Sequence, residues 1–137
     1  MQTIEIVIPG NPIAPRRKRG KVRHGRIASD PSSPLGQVLT ALRAQAPATP
    51  FTGHVFLELI AHVLPPKRAS RRTSAAMLAG GVVPTGCPGF DALVEFWSDI
   101  LGRVICLDGC QVGGAIAKLG YAEEAQTVIT VRKIRLH

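Results

Sequence analysis

Four acids fall within one stretch of an arginine-rich chain. Asp91, Glu95, Asp99 and Asp108 lie in PGFDALVEFWSDILGRVICLDGCQVGGAIAK, residues 88–118. The first three are spaced i, i+4 and i+8, so on a helix they share a stripe of about 80° of the circumference. Neighbouring carboxylates in such a stripe repel each other by roughly a few tenths of a kcal/mol per pair. A divalent cation or a basic side chain relieves that repulsion. Oxygen ligands of this kind suit Mg²⁺ or Mn²⁺, ions that activate water and stabilise the leaving oxygen when a phosphodiester is cleaved. The plainer alternative is a solvated helix face, with Asp91 capping the helix just after Pro88-Gly89.

The counterpart to these acids is a surplus of cations, unevenly placed. The formal net charge is +8 and the sequence pI about 10.3. Residues 1–80 carry twelve Lys/Arg against Glu5, Asp30 and Glu58, whereas residues 81–137 carry five against six acids. Seven of the eleven residues from Arg16 to Arg26 are basic: Arg16, Arg17, Lys18, Arg19, Lys21, Arg23 and Arg26. Gly20 and Gly25 interrupt the run, which is predicted to be a loop, mobile until a polyanion screens it. A second cluster, Lys67, Arg68, Arg71 and Arg72, forms like-charge i,i+4 pairs that an anionic partner would relieve. Both clusters are candidate DNA-binding segments. A membrane surface is a poorer partner, because the basic run has no apolar helical face.

These groups need a scaffold, and 137 residues supply one domain with a core of Val, Ile, Leu and Ala. Thr3–Ile8 alternates as a strand and ends at Pro9-Gly10. Leu35, Val38, Leu39 and Leu42 mark one face of a helix over 34–46. His54–Leu64 is a strong strand, with Val55, Leu57, Leu59, Ala61 and Val63 on one side. His54 and His62 lie on it with nothing nearby to complete a metal or catalytic set. A short helix is predicted over 74–79, then an amphipathic helix whose inner face is Leu93, Phe96, Trp97, Ile100, Leu101 and Val104. Val104–Leu107 is read as a short strand, Asp108-Gly109 as a turn, 111–121 as the returning strand, and 127–136 as the last. The expected fold class is α+β, a mixed sheet with packed helices. Cys87, Cys106 and Cys110 are odd in number and no leader or long apolar run precedes them, so reduced thiols in a cytoplasmic protein are expected.

In element order the chain resembles the RusA-type Holliday junction resolvases, small endonucleases of phages and prophages. The likeness is carried by Ile6-Val7-Ile8-Pro9-Gly10-Asn11-Pro12 with arginines behind it, and by the strand closed at Pro65-Pro66. It continues through Pro88-Gly89-Phe90-Asp91-Ala92-Leu93-Val94-Glu95 opening a helix that carries Asp99, then Asp108-Gly109-Cys110-Gln111, with Lys118 downstream. The resemblance implies a RusA-like homodimer that binds branched DNA in recombination and repair. It also implies a Mg²⁺ site with Asp91 and Asp108 among its ligands, and Lys118 near the DNA.

The departures fall on the family's chemistry. Gly89 stands where the motif has its first Asp, Ala92 where it has Asn, Glu95 where it has Lys, and Gly109 where it has the second Asp of a pair. Losses around a metal's ligands alone typically cost 10–100-fold in affinity or activity, and losing ligands outright costs more. The expectation is therefore a DNA-binding protein with lost or much reduced nuclease activity. Two alternatives stand beside it. One is an active Mg²⁺-dependent junction endonuclease with a rearranged acid set of Asp91, Glu95, Asp99 and Asp108. The other is a regulatory protein that uses the fold to bind a host or phage protein.

Overall fold

The structure, a computed structural model, describes residues 2–14, 32–84, 88–106 and 111–134. The elements in order are β1 (Thr3–Pro9), α1 (Pro34–Ala44), β2 (His54–Val63), α2 (Arg71–Leu78), α3 (Phe90–Val104), β3 (Gln111–Tyr121) and β4 (Gln126–Ile134). The strands form one mixed sheet in the order β1-β4-β2-β3. β4 pairs antiparallel with both β1 and β2, and β3 pairs parallel with β2. This is the α+β domain expected from the sequence.

Alternation decides which side of each strand meets the helices. Val55, Leu57, Leu59 and Ala61 of β2, Ile129 and Val131 of β4, and Ile6 and Ile8 of β1 are all buried on one face. α1 adds Val38, Leu39 and Leu42 to that core, and α3 adds Leu93, Trp97, Ile100 and Leu101 at the period of a one-sided helix. Ser33 caps α1, its hydroxyl accepting from the Gly36 amide at 3.0 Å, and Pro34 sits at the first helical position, where no amide is needed. α2 buries no side chain at all.

Three sequence expectations need correcting. Of the strand expected over Val104–Leu107, the described part is not one: α3 continues through Val104, and Ile105 caps it while fully packed in the core, with Leu107 outside the described residues. Burial of this β-branched pair against the sheet overrides its strand propensity. Cys106 makes only an isolated parallel bridge to Phe51, whose amide donates to the Ile105 carbonyl at 2.9 Å. Second, β3 is not the return arm of a hairpin but the parallel neighbour of β2, reached by way of α2 and α3. The proposed turn at Asp108-Gly109 lies outside the described residues. Third, Cys106 is disulfide-bonded and not a free thiol. Cys87 and Cys110 lie outside the described residues.

Candidate functional site

The parallel pairing of β2 and β3 fixes where the charged segments sit. α3 must carry the chain back from the carboxyl end of β2 to the amino end of β3. The Lys67–Arg72 segment and the first turn of α3, with Asp91, therefore lie towards the same end of the sheet.

Lys67 and Arg68 form a turn after Pro65-Pro66, and α2 begins only at Arg71. The expected i,i+4 pairing of Lys67 with Arg71 and Arg68 with Arg72 is thus not a helical one. Ser70 separates the pairs as the N-cap: its hydroxyl accepts from the Thr73 amide at 3.1 Å and donates to Thr73 Oγ1 at 2.9 Å. Arg71 and Arg72 then occupy the first turn, which contains no acid. Cations there oppose the positive end of the helix dipole, each costing roughly 0.3–1 kcal/mol at low ionic strength. All four cations are exposed, and none pairs with a carboxylate among the described residues. Ser70 was the signal for this arrangement, because a serine before a polar helix start marks the cap more firmly than Ser74 does.

The acids are arranged differently. α3 begins after Gly89, which occupies the cap position and offers no side-chain cap. Asp91 is inside the first turn and not the cap, and there it complements the helix dipole. Asp91 and Glu95 are exposed. Asp99 accepts from the Arg103 guanidinium, Nε to Oδ1 at 3.1 Å, a half-exposed i,i+4 pair. The stripe expected from the spacing is real, and its last acid has a basic side chain against it.

Lys118 lies elsewhere. In β3 it stands beside Ile60 of β2, on the face of the sheet turned away from α3. The sheet therefore lies between it and the acid stripe of α3, and its expected place near DNA rests on the resemblance alone. His54 and His62 are half-buried on that same outer face. Arg16, Arg17, Lys18, Arg19, Lys21, Arg23, Arg26 and Asp108 lie outside the described residues.

A Mg²⁺ site needs several oxygen ligands converging within about 2 Å of one point. Among the described residues no three His, Cys, Asp or Glu side chains come together in this way. Asp91, Glu95 and Asp99 follow one another along a single helix, about 6 Å of rise apart. They do not make such a set by themselves, and no catalytic step is built on one. No described helix is long and apolar enough to cross a membrane.

Comparison with known sequences adds a relative but no activity. No family model matches the chain. It is similar to a protein of Bacillus subtilis (strain 168), the uncharacterized protein YqaN. The two are 29% identical over 140 residues, covering 98% of this chain and 99% of that one. The likeness therefore runs end to end.

Proposed function

We propose that this chain is a RusA-like protein that binds branched DNA with lost or much reduced nuclease activity. It acts as a pair of copies in the recombination or repair of phage-type DNA. The observation that carries the reading is the start of α2. Four exposed cations surround a helix N-terminus that holds no acid, on a helix that contributes nothing to the core. A phosphate backbone relieves both the mutual repulsion of the cations and their conflict with the helix dipole. The run from Arg16 to Arg26 extends the same chemistry along the sequence. The loss of nuclease activity rests on Gly89, Glu95 and Gly109 standing at motif positions of the family the chain resembles.

The test is a nicking assay on a labelled four-way junction with Mg²⁺ or Mn²⁺. Binding without nicking is expected. Symmetric nicks that disappear in Asp91→Asn would overturn the loss of activity and establish the rearranged acid set instead.

A further inference from the structure

Two serines follow the same pattern in immediate succession. Lys67-Arg68-Ala69-Ser70 and Arg71-Arg72-Thr73-Ser74 each place a pair of cations three and two residues before a serine hydroxyl. A polyanion accounts for the cations, but not for a hydroxyl set at the same interval behind each pair. An enzyme cleft that reads the cations with carboxylates and holds the hydroxyl against a phosphoryl donor accounts for both. This is the charge pattern by which basophilic serine kinases choose their substrates.

The fold separates the two hydroxyls. Ser74 lies within α2 and is half-buried, whereas Ser70 precedes the helix and is exposed. The Ser70 backbone is already extended, with φ −64° and ψ 162°, the form in which a peptide lies along a cleft. Its ties are local. The Ala69 amide donates to the Pro66 carbonyl at 3.0 Å, the Ser74 amide donates to the Ser70 carbonyl at 2.8 Å, and the Ser70 hydroxyl donates to Thr73 Oγ1 at 2.9 Å. α2 has no fully buried side chain, so opening its first turn exposes little apolar surface and takes little free energy.

We propose that Ser70 is a phosphorylation site for a basophilic serine kinase, and that the phosphate releases DNA from the start of α2. The release rests on the DNA-binding reading above; the modification does not. In the transfer, Ser70 Oγ forms a bond to the γ-phosphorus of ATP while the bond from that phosphorus to the β-phosphate oxygen breaks. ADP leaves, and the hydroxyl proton passes to the kinase's base. The product carries about −1.5 to −2 charges at pH 7 and three acceptor oxygens. It stands at the first turn of α2, which contains no acid. There the helix dipole and the adjoining Arg71 and Arg72 favour an anion. The charge of the four-cation cluster falls from +4 to about +2, and a phosphate of the chain itself takes the place of one from DNA.

The test treats the full chain with ATP and the catalytic subunit of cyclic-AMP-dependent protein kinase, which selects paired cations at this interval. Peptide mass spectrometry locates the phosphate. Near-complete modification of Ser70 is expected, lost in Ser70→Ala and in Lys67→Ala/Arg68→Ala and retained in Ser74→Ala. Amides over residues 71–78 should exchange more slowly in the phosphorylated protein. Its affinity for a four-way junction should fall about tenfold or more at about 0.1 M salt, with a log–log salt slope shallower by about two. No phosphate at Ser70, or phosphate on Ser74 in its place, overturns the site. Phosphate at Ser70 with junction affinity unchanged overturns the release. Should the untreated protein fail to bind the junction at all, the DNA-binding reading falls and the release with it, while the mapped phosphate and the amide exchange still decide the site.

Discussion

The start of α2 and the outer stripe of α3 carry opposite charge towards one end of the sheet, but the fold treats them differently. α3 is fastened down: Leu93, Trp97, Ile100 and Leu101 are buried, Asp91 complements the helix dipole, and Asp99 is matched by Arg103. α2 has no buried side chain, and its four leading cations have no acid against them among the described residues. Asp91 and Asp99 thus have a favourable setting within the helix and Glu95 is simply solvated, while the cations have no counter-charge among the described residues. An element kept at an electrostatic cost with no fully buried side chain to offset it is better explained by a ligand than by stability.

The largest effect should come from removing those cations. Replacing Lys67, Arg68, Arg71 and Arg72 together by Ala should weaken binding to a four-way junction by about two to three orders of magnitude at 0.1 M salt, and flatten the salt dependence by about three to four in log–log slope. The midpoint of urea unfolding should not fall, because none of these side chains is in the core. Unchanged affinity would place the DNA elsewhere and remove the contrast between the two helices.

Packing gives the next largest effect, and it should appear only on α3. Trp97→Ala should cost about 3–5 kcal/mol in urea unfolding. Trp97→Phe should cost much less, because the buried indole N–H has no hydrogen-bond partner among the described residues and removing such a donor recovers about 1–3 kcal/mol of its desolvation penalty. A Trp97→Ala protein as stable as wild type would mean that α3 is no better anchored than α2.

Smaller still is the cap. Ser70→Ala should cost about 1 kcal/mol, confined to α2. It should be read as faster amide exchange over residues 71–78 with global unfolding unchanged. The smallest effect belongs to Asp99→Asn. The Arg103 pair is half-exposed and worth at most about 1 kcal/mol after solvent screening. A loss of several kcal/mol would show that the acid stripe is a structural anchor.

Much of this was legible in the sequence because it is local. The alternation of His54–Val63 gave β2 and its inner face, and the spacing from Leu93 to Leu101 gave α3. The misreadings fell where a distant partner decides. β3 pairs parallel with β2, more than fifty residues earlier, and Asp108-Gly109 is a strong hairpin signal that pointed to a nearer partner. Its inward residues, Ala115, Ala117 and Leu119, are mostly too small to mark the face that meets α3. Ile105 looked like a strand residue, since only tertiary packing makes it a helix cap. Of the site, the charges and the acid stripe were readable. The separation of Lys118 from α3 by the thickness of the sheet was not, because that depends on register.

The central claim is that this chain holds DNA through cations left unmatched among its described residues. The most direct measurement is a salt titration of wild-type binding to a four-way junction, with linear duplex as competitor. With about six phosphates neutralised, log K should fall against log salt with a slope near −5, and the junction should outcompete the duplex. No measurable binding at low salt would contradict the claim and turn attention to a protein partner.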